Sequence, residues 1–239
     1  MLEAKKSLSQ NFLTDKNISN KIINLTNIKD KIILEIGPGL GFMTDNILLK
    51  KPKKLILIEK DKNLTDLLKN KYKKNSNIFI KCEDILNCDL NEYENLIVIA
   101  NLPYNVSSKV ILHMFHFNKN IFEMILMIQK EMAQKFNYNL PKMNKYKFLT
   151  KILSTYSVNF DVSSKVFIPK PKVKSSVVKF KFNKKNFDLD KAINFSNLIF
   201  KNKRKKIINN IKINSKDKIL EKRVDELKVN EILKIYDLF

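Results

Sequence analysis

The four residues Asn101-Leu-Pro-Tyr104 combine groups that suit chemistry on the exocyclic amine of a nucleobase. Such an amine is a weak nucleophile because its lone pair is delocalised into the ring. Acceptors that hold its hydrogens therefore help the nitrogen become tetrahedral. The side-chain oxygen of Asn101 and the carbonyl of Leu102 could be those acceptors, and Pro103 favours an extended Leu102. Tyr104 could stack on the base; the alternative is an ordinary turn with a buried tyrosine.

All three glycines of the 239-residue chain, Gly37, Gly39 and Gly41, fall in the stretch EIGPGLG at 35–41. Glycine adopts positive φ and lets the backbone approach a ligand closely. The stretch lies between a predicted strand and a predicted helix, where doubly wound folds bind nucleotide-like ligands. Its G-x-G-x-G spacing, preceded by Glu35, favours S-adenosyl-L-methionine (SAM) over NAD, whose binding loops carry G-x-G-x-x-G. A purely structural turn remains open.

Two acidic residues end the next two predicted strands. Glu59 closes LILIE, and Asp84 follows the third strand in KCEDIL. Because the carboxyl ends of parallel strands meet at one edge of a sheet, Glu59 could accept hydrogen bonds from both ribose hydroxyls of a cofactor. Asp84 could accept from the amino group of its adenine. The ribose contact is common to NAD and SAM proteins, so it does not separate the two.

Short apolar runs alternate with amphipathic segments, which is the pattern of βαβ units around a parallel sheet. The predicted parallel strands are Lys31–Ile36, Lys54–Ile58, Asn77–Ile80, Leu96–Ala100 and Glu123–Ile128. Residues 156–167 and 175–182 alternate apolar with polar, as half-exposed antiparallel strands do. Asp61 and Ser107 are predicted helix N-caps. The expected fold is a doubly wound α/β domain.

The pattern changes after Phe182. Residues 183–190 are predicted to be a polar linker, and the chain that follows has helical spacing of its apolar residues. We therefore expect the α/β domain at residues 1–182 and a small, wholly helical C-terminal domain at residues 183–239.

The chain is strongly basic, with 46 lysines and arginines against 24 acidic residues and a formal net charge of +22. Such an excess favours polyanion binding through release of counterions from phosphates. Because nearly all the cations are lysine, a lysine-rich coding bias is an alternative source. The run KNKRKK at 201–206 is predicted to lie on a helix, as an RNA contact or as a solvated face. Its candidate RNA-binding residues are Lys201, Lys203, Arg204, Lys205 and Lys206.

Other features argue against several classes of protein. No apolar run approaches the roughly 18 residues that a membrane span needs. Residues 1–13 lack a signal-type apolar core, so we expect a cytoplasmic protein. Cys82 and Cys88 indicate neither a disulfide framework nor a complete zinc site, and we expect reduced thiols. His113 and His116 lack an obvious third ligand, so no metal site is predicted.

Several segments occur in the order typical of one enzyme family: SQNFL (9–13), EIGPGLG (35–41), IEKD (58–61), EDIL (83–86), NLPYNVSS (101–108), QKEMAQKF (129–136), FIPKPKVKSSVV (167–178) and IFKNKRKKIINNI (199–211). With them the chain resembles the ribosomal RNA adenine N6,N6-dimethyltransferases, and in particular the small-subunit, KsgA-type, enzymes. The resemblance implies a Rossmann-like class I SAM-dependent methyltransferase domain with a small all-helical C-terminal domain. The implied reaction is dimethylation of two adjacent adenosines in a hairpin near the 3′ end of small-subunit rRNA.

The resemblance also implies roles for individual residues. Those implied to contact SAM are Asn11, Leu13, Gly37, Gly39, Glu59, Asp84 and Asn101. Asn101, Leu102, Pro103 and Tyr104 would hold the target adenine, and Phe167 would close on its other face, which requires the base to leave its stack. The implied partner of the enzyme, expected as a monomer, is small-subunit rRNA or an immature small ribosomal subunit. The chain departs from the family at Tyr146-Lys-Phe-Leu-Thr150, where Y-G-R-L-S is common.

Three alternatives remain open. The large-subunit rRNA adenine methyltransferases of the macrolide-resistance type share the glycine loop and F-x-P-x-P-K-V, but Gln129-Lys-Glu131 and Leu102 favour a small-subunit enzyme. A non-catalytic RNA- or DNA-binding assembly or transcription factor on the same fold would have no need of Glu59, Asp84 and the segment 101–104. An NAD oxidoreductase is disfavoured by the glycine spacing.

Overall fold

The computed structural model describes residues 10–183, 188–213, 215 and 217–239. Residues 1–9, which include the start of the first family motif and most of the segment without a signal core, lie outside the described residues. So do residues 184–187 of the predicted linker. The chain divides into two compact units: one combines Met1–Ala133 with Ser157–Phe182, the other Gln134–Tyr156 with Asn183–Phe239.

The predicted parallel strands are confirmed, with ends that differ by no more than two residues. The described strands are β1 (Phe12–Leu13), β2 (Ile32–Ile36), β3 (Lys54–Glu59), β4 (Ile78–Cys82), β5 (Leu96–Asn101), β6 (Ile121–Gln129), β7 (Ser154–Val162), β8 (Phe167–Ile168) and β9 (Ser175–Phe182). Within the described residues, a seven-stranded sheet has the order β4-β3-β2-β5-β6-β9-β7, and β1 pairs with β8 separately. The first five strands in that order run parallel, whereas β9 is antiparallel to β6. The carboxyl ends of β2 to β5 therefore share one edge.

Helices connect the strands, and two more follow β9. Their bounds are α1 (Lys16–Ile23), α2 (Phe42–Leu49), α3 (Lys62–Lys71), α4 (Ser107–His116), α5 (Lys130–Phe136), α6 (Lys145–Leu153), α7 (Leu189–Ile199) and α8 (Val229–Leu238). Continuous Ile, Leu and Val runs form the inner strands because strands of a parallel sheet are buried on both faces. No helix in the part of the chain that the structure describes is long and apolar enough to cross a membrane.

One of the two predicted N-caps is confirmed. Asp61 has an extended backbone before α3, and its side chain accepts from the amide of Asn63 at 3.0 Å. Ser107 is instead the first residue of α4, and the N-cap position belongs to Val106. The predicted N-cap at Ser107 was therefore wrong by one residue. The Ser107 hydroxyl does not accept from a helix amide but donates to the carbonyl of Tyr104 at 3.2 Å.

The second unit is less helical than predicted and begins earlier in the chain. Residues 200–204 form turns, and short 3-10 helices cover Ile207–Asn209, Lys218–Glu221 and Val224–Glu226. The unit includes α6, because the ring of Phe148 packs 5.1 Å from that of Phe195 and 5.5 Å from that of Tyr236. Phe148, which stands where the family pattern has arginine, is therefore an apolar core residue of this unit.

Candidate active site

A cavity of about 330 Å³ lies at the carboxyl edge of the parallel strands. Its walls come from β1, the glycine loop after β2, and the segments that follow β3, β4 and β5. The predicted site residues that line it are Asn11, Leu13, Gly37, Gly39, Glu59, Asp84, Asn101, Leu102, Pro103 and Tyr104. The fold thus brings the predicted cofactor-binding residues and the predicted base-holding segment to one cavity.

Backbone geometry explains the glycines of the loop after β2. Gly37 and Gly39 have φ values of +63° and +59°, in the left-handed region where other residues are strained. A Cβ on Gly39 would lie 2.9 Å from the Phe12 ring, whereas a Cβ on Gly37 would meet none of the described atoms within 4 Å. Gly39 therefore lets β1 close against the loop, and Gly37 leaves space that a ligand can enter.

Glu59, the last residue of β3, fastens this loop to the sheet. Its Oε2 accepts from the amide of Gly39 at 3.2 Å, and its Oε1 accepts from the amide of Asp61 at 2.9 Å. Burial raises the pKa of Glu59, and the two amides act in the opposite direction. Each carboxylate oxygen keeps a second lone pair, so Glu59 can also accept from ribose hydroxyls in the cavity.

Asp84 presents an ionised acceptor on the adjoining wall. Its Oδ1 accepts from the amide of Leu86 at 3.0 Å, and its Oδ2 accepts from Nζ of Lys60 at 2.8 Å. The hydrogen bond from Lys60 lowers the pKa of Asp84. Fixed by both contacts, the carboxylate suits the predicted role of acceptor for an adenine amino group. Lys60 also lines the cavity and was not among the predicted site residues.

Like Lys60, Glu35 lines the cavity but was not among the predicted cofactor contacts. It lies on β2, directly before the glycine loop. Its side chain is fully buried, and Oε2 accepts from the hydroxyl of Thr44 at 2.7 Å. Oε1 has no hydrogen-bond partner among the described residues. Burial raises the pKa of Glu35 to about 8. Because buried polar atoms are rarely left unpaired, Oε1 indicates a place for a donor or cation of a ligand.

The side-chain amide of Asn101 is oriented by the residue that precedes β1. Its Nδ2 donates to the backbone carbonyl of Asn11 at 2.9 Å. With the nitrogen held there, Oδ1 is the atom that can accept a hydrogen from a substrate amine. The sequence could not reveal this contact, because it depends on the approach of β1 to the end of β5.

The rest of the loop after β5 is held by neighbouring strands. The amide of Leu102 donates to the carbonyl of Met127 at 3.1 Å, one step beyond the ladder between β5 and β6. The hydroxyl of Tyr104 lies 2.7 Å from that of Ser175, in a hydrogen bond. Burial raises the pKa of Tyr104. The backbone and side chains that would hold a base are thus fixed from several sides.

Phe167 is the predicted catalytic residue that the structure does not bring to the cavity wall. It lies opposite Leu13 in the antiparallel pair of β1 and β8. Its ring is 2% exposed and belongs to the apolar core, whereas the next residue, Ile168, is 64% exposed. Strand alternation turns Phe167 inward. In this arrangement the ring supports β1, and its closure on a base stays a prediction.

The basic run 201–206 does not lie on a helix, because α7 ends at Ile199. Residues 201–204 form turns, and Lys206 forms an isolated bridge with Arg223. The helical prediction was wrong: the run offers no apolar residue that could bury a helix face. All six side chains are exposed. Lys206 is engaged with Glu221 at 2.6 Å, which makes it less available to RNA than Lys201, Lys203, Arg204 and Lys205.

Comparison with known proteins identifies the family. A model of the ribosomal RNA adenine dimethylase family matches residues 1–238. The chain belongs to this family. One curated relative is the ribosomal RNA small subunit methyltransferase A of Mycoplasmopsis synoviae (strain 53). It is 38% identical over 242 residues, which cover 98% of this chain and 92% of the relative.

Two solved structures share the fold. A dimethyladenosine transferase from Plasmodium falciparum has a TM-score of 0.79 at 24% identity, covering 94% of this chain and 95% of its own. The 23S rRNA methyltransferase ErmE has a TM-score of 0.74 at 18% identity, covering 95% of this chain and 98% of its own. These likenesses confirm the Rossmann-like methyltransferase fold.

Family membership makes the protein a SAM-dependent enzyme of ribosomal RNA, and the cavity fits that cofactor. The glycine loop leaves space beside its backbone, and Glu59 and Asp84 offer fixed acceptors for ribose and adenine. The unpartnered Oε1 of Glu35 suits a cationic group, and SAM carries both a sulfonium and an ammonium. The preference for SAM over NAD is confirmed.

Proposed function

We propose that the protein dimethylates N6 of two adjacent adenosines in the 3′-terminal hairpin of small-subunit rRNA during ribosome biogenesis. The observation that carries the proposal is the orientation of Asn101, whose Nδ2 donates to Asn11 and whose Oδ1 can accept from an amine. The name of the 38% identical relative supports a small-subunit substrate over a large-subunit one. The intact set of acceptors in the cavity supports catalysis over simple RNA or DNA binding.

In this proposal the residues of the cavity hold the amine and do not remove its proton first. Oδ1 of Asn101 and the carbonyl of Leu102 accept the two N6 hydrogens. As the nitrogen becomes tetrahedral its hydrogens grow more acidic, so both hydrogen bonds strengthen toward the transition state. When bound, SAM would supply a methyl group on a sulfonium: the amine nitrogen would bond to the methyl carbon as the carbon–sulfur bond breaks, and the sulfur would leave as a neutral thioether. The nitrogen then sheds a proton to water, and one hydrogen remains to be held for the second transfer.

Tyr104 is proposed to stack on the extruded adenine. Stacking of a base on an aromatic ring contributes roughly 1–3 kcal/mol. This gain offsets part of the cost of unstacking, which is lowest for bases that are already unpaired. Phe167, which pairs with Leu13 and belongs to the apolar core, would then act by supporting β1.

The exposed cations Lys201, Lys203, Arg204 and Lys205 are proposed to contact RNA phosphates. Such contacts add affinity and fix the enzyme on its substrate without reading sequence. The formal net charge of +22 supports binding of this kind.

We further propose that the enzyme acts as a monomer in the cytoplasm, where ribosomes are assembled. Its substrate would be small-subunit rRNA, either naked or within an immature small ribosomal subunit. Membership of an rRNA-modifying family supports this setting.

Methyl-labelled SAM tests the proposal when it is supplied with naked small-subunit rRNA, immature small-subunit particles or large-subunit rRNA. We expect label on two adjacent adenosines near the 3′ end of small-subunit rRNA, recovered as N6,N6-dimethyladenosine. Label confined to large-subunit rRNA would favour the large-subunit alternative. RNA binding without label in any of the three would favour the non-catalytic alternative.

A further inference from the structure

The hydroxyl of Tyr104 is held by a residue outside the cavity wall. It lies 2.7 Å from the hydroxyl of Ser175, in a hydrogen bond. Ser175 is the first residue of β9, is fully buried, and pairs with Gln129 at the end of β6. The hydrogen bond therefore joins the loop after β5 to a strand two places along the sheet.

This hydrogen bond completes the anchoring of the tyrosine. The backbone end is held where the Ser107 hydroxyl donates to the Tyr104 carbonyl at 3.2 Å. The ring of a tyrosine turns about a broad terminal torsion, so packing alone sets its plane loosely. The hydroxyl oxygen lies on the axis of this torsion, so holding it at one end and the backbone at the other fixes where the ring points. Because a phenolic O–H lies near the ring plane, the direction of the hydrogen bond with Ser175 also favours one ring plane. A stacked base needs a defined plane, because stacking depends on the relative geometry of the two rings.

We propose that Ser175 is a positioning residue for methyl transfer: its hydroxyl fixes the Tyr104 ring in the plane on which the target adenine stacks. The inference rests on the proposed function, because it requires that Tyr104 meets a base. Ser175 is buried outside the cavity wall, so it acts through Tyr104 and needs no contact with adenine or cofactor.

The next residue of β9 provides a matched control. Ser176 is also fully buried, but strand alternation directs it to the other face. There its hydroxyl donates to Oδ1 of Asp161 at 2.7 Å. Removal of either serine hydroxyl deletes one hydrogen bond from the same strand, but the bond to Tyr104 is lost only in Ser175→Ala.

The test is a double-mutant cycle in the full-length chain, with Ser175→Ala, Tyr104→Phe and both together. Single-turnover methyl transfer to small-subunit rRNA is measured at saturating SAM. Each single variant should lose about threefold to tenfold in rate, the size of one hydrogen bond, and the double variant should lose no more than either single variant. Ser176→Ala should keep the wild-type rate, and Ser175→Thr, which retains a hydroxyl, should recover most of it.

A second readout follows the stacking itself. With 2-aminopurine at the target position of the RNA, stacking on Tyr104 should quench its fluorescence on binding. We expect weaker quenching with Ser175→Ala and wild-type quenching with Ser176→Ala. Equal quenching with Ser175→Ala and wild type would contradict the inference.

Losses that multiply in the double variant would overturn the inference, as would a wild-type rate for Ser175→Ala. If Ser175→Ala does not fold, Tyr104→Phe decides, because it deletes the same hydrogen bond without altering β9. A wild-type rate for that variant would overturn the inference, and a slower rate with unchanged Tm and RNA affinity would support it. Failure of the proposed function is distinct: the wild-type protein would then place no methyl group on small-subunit rRNA.

Discussion

Replacement of Glu35 by glutamine tests the electrostatics of the cavity. The Glu35 carboxyl is fully buried, and only its Oε2, which accepts from Thr44 at 2.7 Å, has a hydrogen-bond partner among the described residues. Burial disfavours the ionised form and raises the pKa to about 8 from an ordinary 4.5. Asp45 and Glu59 raise it further, whereas the Thr44 hydroxyl and Lys71 lower it. Glutamine keeps the shape and an acceptor for Thr44 but does not titrate.

The raised pKa fixes both the sign and the size of the expected effect. Between pH 4.5 and about 8 the folded protein holds a proton that the unfolded chain releases. The protonated carboxyl therefore makes its full contribution to the free energy of unfolding below pH 4.5. This contribution is lost as the pH rises to about 8. At 1.36 kcal/mol per unit, the loss is about 5 kcal/mol. Relative to wild type, Glu35→Gln should gain several kcal/mol of unfolding free energy over this range.

Urea unfolding without cofactor, from acid to mildly alkaline pH, measures the effect. The two proteins should differ least at acid pH and most at alkaline pH. Glu83→Gln, which removes a partly buried carboxylate from the same cavity wall, is the control for the loss of a carboxylate at this edge of the sheet. Parallel pH profiles for wild type and Glu35→Gln would show that Glu35 does not hold a proton in the folded protein over this range. SAM carries a net positive charge, so its binding should also release a proton from wild type but not from Glu35→Gln, as calorimetry in different buffers would detect.

Two further predictions concern the amine-holding loop and the basic run. In the wild type the amide nitrogen of Asn101 donates to the Asn11 carbonyl at 2.9 Å. Asn101→Asp keeps an acceptor for the substrate amine but places a second oxygen against that carbonyl. The methylation rate of this variant should fall about 10- to 100-fold at neutral pH. It should recover in part, relative to wild type, as the pH falls and the aspartate becomes protonated. A wild-type rate would show that the hydrogen bond from Nδ2 of Asn101 is not needed. Replacement of Lys201, Lys203, Arg204 and Lys205 together by glutamine should make RNA binding less salt-dependent. The slope of log affinity against log salt concentration should fall by about 0.7 to 0.9 for each lost phosphate contact. Lys206→Gln should change it less, because Lys206 is paired with Glu221; an unchanged slope for the fourfold variant would leave the run a solvated surface.

The framework of the site could be predicted because its residues stand at strand ends. Apolar runs locate β2 to β5, and parallel strands bring their carboxyl ends to one edge. Gly37, Glu59, Asp84 and Asn101 follow or close these runs, and all four line the cavity. Their placement required no knowledge of any long-range contact between side chains.

Contacts between distant segments could not be predicted in this way. The hydrogen bonds of Asn101 to Asn11 and of Tyr104 to Ser175 depend on how β1 and β9 approach the loop after β5. The place of Phe148 in the second unit likewise depends on tertiary packing. The run 201–206 was misassigned because its helix was expected to continue from Phe195 and Ile199 to Ile208 on one apolar face. In the structure α7 ends at Ile199, and Ile208 belongs to a separate 3-10 helix.

Asn101→Ala is the sharpest test of whether Asn101 holds N6 of the target adenine. Single-turnover methyl transfer at saturating SAM is compared with the affinity for small-subunit rRNA in the same variant. We expect the rate to fall about 100-fold or more while the RNA affinity stays at the wild-type value. Equal losses in rate and affinity, or an undiminished rate, would contradict it.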